Sequence, residues 1–266
     1  MKFNWMHRYE CSEDSKGLLQ MVKSFEDHGV ESVLLPYGSD GTDYFIHIPD
    51  FIKITKKINF MMAIRPYSVS PEYITKSFKS MNNFEPNRLS INVVAGYFDS
   101  VEEDIVFKKY HREISEIDTR EKRVALCDIW IKKFIEIMDK DLPRIWMVGT
   151  SDKTIEIANK YATDFLVTQQ LINENKINKI KAKKCLVINP IIKNSKKEAL
   201  EYIYLNGLRE EDTIFGSLND VIGQINYLSN KFNTDEFLSL SPTLILNSRR
   251  LFNLLANSIA YMACCK

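Results

Sequence analysis

The sequence predicts an α/β protein with a single domain over residues 1–266, whose eight parallel strands close into a (β/α)8 TIM barrel. Three observations lead to this prediction. The length of 266 residues is close to the roughly 250 residues of a complete barrel. Short apolar runs alternate with longer amphipathic segments, which is the order of repeated βα units. No segment rich in proline or glycine divides the chain, and 45 % of the residues are hydrophobic, enough for a large core.

The strands are predicted from short runs that are apolar throughout rather than alternately apolar and polar. Such runs are typical of parallel strands that are buried on both faces. In chain order, the predicted strands are Lys2–Trp5, Ser32–Leu35, Asn59–Ile64, Leu89–Val94, Arg144–Val148, Asp164–Val167, Cys185–Ile188 and Glu236–Leu240.

Helices are predicted between the strands wherever apolar residues recur at helical spacing. The clearest of these segments are residues 17–28, 119–138, 153–161 and 219–230. Two other segments depart from the alternation. Residues 97–118 are polar and predict a long loop with local helix, a lid over the barrel mouth. Residues 169–184 contain the run Lys181-Ala182-Lys183-Lys184 and predict a solvated, lysine-rich helix.

The composition excludes several functional classes. A net charge of +1 shows no basic excess of the kind that binds nucleic acid. The amino terminus lacks the apolar core of a signal peptide, and no apolar run reaches the roughly 18 residues of a membrane span. The five cysteines show neither a Cys-x-x-Cys pair nor zinc-ligand spacing, so no metal site is expected. We therefore expect a cytoplasmic protein that acts on a small molecule.

A phosphate site is predicted where the fifth strand ends, because active residues of such barrels follow the carboxyl ends of the strands. Gly149, Thr150 and Ser151 come directly after an apolar strand and open a helix. Free backbone N–H groups and a partial positive charge at a helix start favour an anion. The same residues also fit an ordinary Ser/Thr helix cap. Arg120 and Arg123, early in the preceding helix, could reach the phosphate, although Arg123 also fits a surface salt bridge.

Polar residues at the ends of the third and fourth strands predict ligand contacts. Arg65 ends a buried strand and either points into the mouth or pairs with Asp40 or Asp43. Asn92 interrupts an apolar strand. Its amide either binds the polar edge of a flat heterocycle or is satisfied by neighbouring backbone. Tyr67 could donate to a bound oxyanion or stack on a ligand.

Few side chains predicted near the mouth can transfer protons at neutral pH. His7 follows the first strand, and its ordinary pKa of roughly 6.5 suits acid–base catalysis. It also fits a hydrogen-bonded wall residue. Tyr37 follows the second strand and has the same alternatives as Tyr67.

The block Phe60–Pro66, then Pro71, then Asn87–Gly96, closely resembles the luciferase-like flavin-dependent monooxygenases, nearest their alkanesulfonate monooxygenase branch. Weaker similarities along nearly the whole chain lie at residues 35–38, 143–158, 215–221 and 235–237. The resemblance implies a barrel of the bacterial-luciferase type, with shortened insertions. It also implies oxygenation of a small organic substrate by O2 and reduced FMN, which a separate flavin reductase supplies. A hydride-transfer oxidoreductase using flavin or deazaflavin, and a non-catalytic flavin-binding protein, are the alternatives.

The resemblance also assigns residues. It implies that Asn92, Ala95 and Gly96 lie beside the flavin, and that the loop after Pro36 lines the pocket over the ring. It implies that the FMN phosphate lies against the turn of Gly149, Thr150 and Ser151. Arg120 and Arg123 are predicted, from their position and charge, to bind the cofactor there. The predicted catalytic residues are His7, Tyr37 and Asn189, and the predicted substrate-binding residues are Gly41, Arg65, Tyr67 and Arg209.

Several positions depart from the alkanesulfonate branch. A cysteine of its second loop is replaced by Gly41 or a neighbour, and an Arg-x-His pair on its seventh strand by Val187 and Asn189. Ala95 stands where the branch has a hydroxyl residue, and Arg209 lies near the branch's arginine-bearing loop. These departures argue against a sulfonate substrate. Apolar surface on the predicted helices 219–230 and 244–261 indicates a homodimer.

Overall fold

The computed structural model describes residues 1–6, 15–37, 44–83, 85–96, 119–173 and 175–240. Eight of its strands form the predicted closed, parallel barrel, and their ends differ from the predicted ends by at most two residues. These strands are β1 (Lys2–Met6), β2 (Ser32–Leu35), β3 (Asn59–Ile64), β4 (Leu89–Val93), β5 (Ile145–Val148), β6 (Asp164–Val167), β7 (Lys183–Ile188) and β10 (Glu236–Leu240). Around the barrel their order is β1-β10-β7-β6-β5-β4-β3-β2.

The helices surround the barrel, and several begin at a serine or threonine that caps the first turn. They are α1 (Ser15–Asp27), α2 (Tyr44–Ile54), α3 (Pro71–Asn82), α4 (Arg120–Met138), α5 (Asp152–Tyr161), α6 (Gln169–Asn173), α7 (Lys196–Leu205) and α8 (Leu218–Phe232). Ser70, Thr119, Ser195 and Ser217 each accept a backbone N–H of their helix, which satisfies a donor that has no partner within the helix. No helix in the described ranges has the length and apolarity to cross a bilayer.

A second sheet, absent from the sequence prediction, lies between β7 and β10. Its two short parallel strands are β8 (Pro190–Ile192) and β9 (Ile214–Gly216), and α7 connects them. Three-residue strands are too short to show a periodic pattern in the sequence. The backbone N–H of Ile214 donates to the carbonyl of Asn189 at 3.1 Å. The small sheet therefore fixes the backbone at the carboxyl end of β7.

The predicted lysine-rich helix over residues 169–184 is wrong. The segment contains the short α6 and a 3-10 turn, and Lys183 and Lys184 begin β7. The ammonium group of Lys183 lies 2.7 Å from a carboxylate oxygen of Glu236, whose side chain is fully buried. A buried carboxylate needs a cation beside it, which explains a lysine at this strand position.

The amino-terminal end of the barrel interior is closed by a network of paired polar groups. Arg144 donates to Asp164 at 2.6 and 3.0 Å and to Glu236 at 3.3 Å. Asn4 donates to Glu236 at 3.0 Å and accepts a hydrogen bond from Ser32. Above this network lies an apolar layer formed by Leu34, Met61, Trp146, Leu166, Cys185 and Leu238. Because the amino-terminal end is filled by these groups, we expect a ligand site at the carboxyl end of the barrel.

The main core lies between the outer face of the barrel and the helices. Alternate strand residues such as Ile91 and Val93 of β4 point outward and pack with Phe78 of α3 and Phe134 of α4. Their neighbours Ser90 and Asn92 therefore point into the barrel. The predicted lid over residues 97–118 and the predicted helix over 244–261 lie outside the described residues.

Candidate functional site

The first part of the site is the β5 turn, Gly149, Thr150 and Ser151, between β5 and α5. Ser151 is the N-cap of α5, and its hydroxyl oxygen accepts the backbone N–H of Thr154 at 3.1 Å. A Cβ added at Gly149 would lie 2.7 Å from a methyl carbon of Thr154, so the close turn requires glycine. The hydrogen bond from the Thr154 N–H to Ser151 shows that Ser151 is a helix cap, the alternative interpretation of this turn. Backbone N–H groups at the helix start still favour an anion at the turn.

Two cations contact the β5 turn. The Arg120 guanidinium donates to the Thr150 hydroxyl at 3.0 Å, and the Lys176 ammonium donates to the Thr150 carbonyl at 3.1 Å. A nearby carboxylate, Asp152, is paired with Lys179 at 3.0 Å, and this hydrogen bond lowers the pKa of Asp152. The turn thus combines the backbone N–H groups of a helix start with net positive charge, an arrangement that suits a phosphate.

Lys176 was missed by the sequence prediction. It belongs to the segment that was predicted as a solvated helix, where a lysine gives no sign of a buried contact. Only the path of the chain from β6 to β7 brings its ammonium group to Thr150.

The second part of the site is the mouth cluster, formed by Tyr37, Arg65, Tyr67 and Gly96. The guanidinium carbon of Arg65 lies 4.7 Å from the centre of the Tyr37 ring. Gly96 has φ = 75°, and a Cβ there would overlap the Tyr67 hydroxyl and lie 3.3 Å from Arg65. Glycine is therefore needed both for the backbone conformation and for the close contact.

Burial affects one titratable member of this cluster, Tyr67. It raises the pKa of Tyr67, and the positive charges of Arg65 and Arg123 oppose that rise. Tyr67 is therefore protonated at neutral pH and can donate a hydrogen bond. Arg123 is buried in α4, so it is not the surface residue that its alternative supposed. Its predicted contact with a phosphate stays a prediction.

The third part is the polar arc, a set of buried polar atoms on, or directly after, four consecutive strands. These atoms have no hydrogen-bond partner among the described residues: Asn92 Oδ1 on β4, Trp146 Nε1 on β5, Thr168 Oγ1 after β6 and Asn189 Oδ1 after β7. Asn92 and Trp146 are partners in the β4–β5 register and are 3 % and 1 % exposed. Because an unsatisfied buried polar group costs about 1–3 kcal/mol, such a set indicates a ligand or water site.

Apolar side chains lie opposite the polar arc and also between its atoms. Inward positions of β1, β2, β3 and β10 carry Met6, Leu34, Met61, Ala63 and Leu238, and those of β5, β6 and β7 carry Val148, Leu166 and Val187. The alternative in which neighbouring backbone satisfies Asn92 Oδ1 is not observed in the described residues. A flat ligand that is apolar except for one polar edge matches this lining.

Other predicted site residues lie apart or outside. Ala95 is half-buried, packs against the main core and precedes Gly96. Arg209 is exposed and contacts Asp212 in the following turn. His7 and Gly41 lie outside the described residues, as do Asp40 and Asp43. No group of three His, Cys, Asp or Glu side chains able to hold a metal ion occurs in the described part of the chain.

Solved structures share this barrel along almost its whole length. The structure of a long-chain alkane monooxygenase (LadA) matches with a TM-score of 0.74 and 11 % identity, over 98 % of this chain and 91 % of that chain. An EDTA monooxygenase (EmoA) from Chelativorans matches with a TM-score of 0.74 and 8 % identity, over 98 % and 93 %. A coenzyme F420 dependent tetrahydromethanopterin reductase from Methanopyrus kandleri matches with a TM-score of 0.60 and 14 % identity, over 91 % and 93 %.

No family model matches the sequence. At such low identities the structural likeness establishes the fold alone. The chain has the same barrel architecture as these three enzymes.

Proposed function

We propose that this protein is a flavin-dependent monooxygenase that uses reduced FMN and O2 to oxygenate a small organic substrate. The observation that carries this proposal is the combination of the β5 turn and the polar arc at one end of the barrel. The β5 turn suits a phosphate, and the polar arc suits the polar edge of a flat ring. The sequence resemblance to luciferase-like flavin-dependent monooxygenases supports the same proposal, as do similar folds in two monooxygenases.

The residues present fit FMN. The backbone of the β5 turn with Arg120 and Lys176 would hold the phosphate, while Asn92 on β4 would hold the ring, with Ala95 and Gly96 beside it. Gly149 is needed because a side chain there would fill the turn. When bound in its reduced form, FMN supplies the electrons that activate O2 for transfer of one oxygen atom.

The mouth cluster is our proposed site for the substrate. Tyr67 is a neutral hydrogen-bond donor, and Arg65 supplies a positive charge beside the Tyr37 ring. Apolar side chains of the opposite barrel half would exclude water from the reacting atoms. A small substrate with one polar or anionic group and an apolar part fits these surroundings.

The nearest sequence resemblance is to the alkanesulfonate branch, yet we propose a substrate other than a sulfonate. Gly41 or a neighbour stands where that branch has its cysteine, Ala95 where it has a hydroxyl residue, and Val187 and Asn189 where it has its Arg-x-His pair. We further propose a separate flavin reductase as the source of reduced FMN, a cytoplasmic location and a homodimer. We propose His7 as the proton-transfer residue, with Tyr37 and Asn189 as further catalytic residues.

A second candidate function is hydride transfer with a flavin or a deazaflavin. The structural match to the coenzyme F420 dependent reductase favours it, since that enzyme is a reductase with a similar barrel. A third candidate, flavin binding without turnover, is favoured by the same departures from the alkanesulfonate branch.

Oxygen uptake separates the three candidates. Chemically reduced FMN is added to the protein with a panel of small apolar and anionic substrates, and both O2 consumption and oxygenated product are measured. The proposal predicts product that appears only with protein, reduced FMN and O2 together. Substrate reduction under anaerobic conditions would favour hydride transfer, and tight flavin binding without either reaction would favour a binding protein.

A further inference from the structure

We infer that Trp146 and Asn92 form a donor–acceptor pair that binds the pyrimidine edge of the flavin inside the barrel. This inference rests on the proposed function and extends it to Trp146, a residue that the sequence prediction treated only as part of an apolar strand. The indole N–H would donate to a flavin carbonyl, and the amide oxygen of Asn92 would accept the neighbouring N–H of the ring.

The two side chains lie next to each other on the inner face of the barrel. Asn92 on β4 and Trp146 on β5 are register partners, and Trp146 belongs to the inward apolar layer. The guanidinium carbon of Arg144 lies 4.4 Å from the centre of the indole ring, so the amino-terminal network covers one face of Trp146. Trp146 therefore forms part of the floor of the mouth.

Both side chains carry a buried polar atom without a partner, and the two atoms are complementary. The indole N–H can only donate, and the Asn92 Oδ1 can only accept. Neither has a hydrogen-bond partner among the described residues. A ligand edge with an acceptor and a donor side by side would satisfy both groups at once.

Two buried groups of the same kinds elsewhere in the molecule are hydrogen-bonded. The indole N–H of Trp130, in α4, donates to the Val69 carbonyl at 2.8 Å. Lower in the same barrel, Asn4 is bonded to both Glu236 and Ser32. The amide oxygen of Asn82, at the end of α3, has no partner among the described residues. Asn92 and Trp146 differ from Asn82 because they are neighbours and combine an acceptor with a donor, which favours a ligand that binds both.

A flavin has the chemistry and the length to reach this pair. Its pyrimidine ring carries an N–H at N3 flanked by two carbonyls, which is the donor and acceptor pattern required. Trp146, on β5, precedes Gly149 of the β5 turn by three residues, roughly 10 Å at the rise of a β-strand. A ligand with its phosphate at the β5 turn and its ring at the floor would extend along β5, joined by the ribityl chain.

The first test compares two tryptophan variants. Trp146→Phe keeps an aromatic ring but removes the unpaired N–H together with part of the buried indole volume, so the melting temperature without ligand should fall. We expect FMN affinity to fall by roughly three- to tenfold, the effect of one net hydrogen bond. Trp130→Phe, the matched control, loses the same volume and also a hydrogen bond that is already made, so it should lower the melting temperature further and leave FMN affinity unchanged.

The second test changes the ligand, so it does not depend on the folding of a variant. Wild-type protein is titrated with FMN and with 3-methyl-FMN, in which a methyl group replaces the N3 hydrogen. We expect weaker binding of 3-methyl-FMN by the wild type and a smaller difference between the two ligands in Asn92→Leu.

The outcomes distinguish the inference from the proposed function. Equal binding of FMN and 3-methyl-FMN by the wild type, or unchanged FMN affinity in Trp146→Phe, would overturn the donor–acceptor pair while leaving flavin binding intact. A wild type that binds no flavin at all would overturn the proposed function itself, and the pair with it.

Discussion

Ser151 shows how a single hydroxyl can serve both the fold and a ligand. As the N-cap of α5 it accepts the Thr154 N–H, and it also shares a hydrogen bond with the Thr154 hydroxyl at 2.8 Å. Ser151→Ala should therefore lower stability by about 1 kcal/mol through loss of the cap. It should also weaken FMN binding by about 1 kcal/mol and riboflavin binding much less, because riboflavin has no phosphate. Thermal melts and titrations with both flavins measure these effects.

Ser195→Ala is the matched control for that variant. Ser195 caps α7 in the same way, accepting the Glu198 N–H at 3.2 Å, and is not part of the β5 turn. It should lose stability without any change in FMN affinity. Equal losses of FMN and riboflavin affinity in Ser151→Ala would show that Ser151 does not act on the phosphate.

Asn92 is expected to matter more for binding than for folding. Its amide oxygen is buried without a partner among the described residues, so the protein without ligand bears the cost of that group. Asn92→Leu should leave the melting temperature unchanged or slightly higher, while FMN affinity and oxygenation fall. Melting curves of both proteins, recorded with and without FMN, measure the difference.

Asn4→Leu provides the contrast, because both polar atoms of Asn4 are hydrogen-bonded. It should destabilise the protein strongly and leave flavin affinity unchanged. Marked destabilisation of Asn92→Leu with normal FMN binding would mean that Asn92 is a structural amide.

Individual site residues were predictable where local sequence carries the signal. The sequence identifies Gly149, Thr150 and Ser151 because they directly follow an apolar strand, and Asn92 because it interrupts one. The sequence does not identify Trp146 or Lys176. Trp146 is recognised only when strand register places it beside Asn92, and Lys176 only when the folded chain places its ammonium group at Thr150.

At the scale of elements, Glu26 connects the end of α1 to the chain entering β3. One of its carboxylate oxygens accepts the backbone N–H groups of Lys56, Lys57 and Ile58 at 2.7, 2.7 and 3.1 Å. Burial alone would raise the pKa of Glu26, but these bonds lower it to about 2 from its usual 4.5. The ionised carboxylate thus stabilises the folded state.

The sign of the pH dependence follows from this lowered pKa. The stabilisation is fully present above about pH 4.5 and is lost as the pH falls towards about 2. Glu26→Gln should cost up to about 3 kcal/mol at pH 7, and its deficit relative to the wild type should shrink with acidification. Glu31→Gln, which removes an exposed partner of Lys2, should show little effect at either pH. Urea unfolding at several pH values measures the free energy. A deficit that does not change with pH would contradict the role of the charge.

The barrel elements were predictable because each strand is a distinct apolar run between amphipathic helices. The small β8–β9 sheet was not, since its strands have three residues each. The lysine run at 181–184 misled the prediction because lysine composition indicates solvent. Here Lys183 neutralises Glu236, which is distant in sequence and adjacent only in the closed barrel.

At the scale of the whole molecule, the two ends of the barrel differ in how their polar groups are satisfied. Arg144, Asp164, Lys183 and Glu236 pair with one another at the amino-terminal end. The four atoms of the polar arc at the carboxyl end lack hydrogen-bond partners among the described residues. The amino-terminal end therefore contributes to stability, and the carboxyl end has hydrogen-bonding groups that a ligand can satisfy.

Thermal stability with added FMN tests most directly whether the carboxyl end of the barrel binds FMN. A ligand that binds only the folded state stabilises it by about 2.7 kcal/mol at a hundredfold excess over its dissociation constant. In a domain of this size we expect the melting temperature to rise by several degrees with FMN and by less with riboflavin. No rise with millimolar FMN, in either its oxidised or its reduced form, would contradict the account.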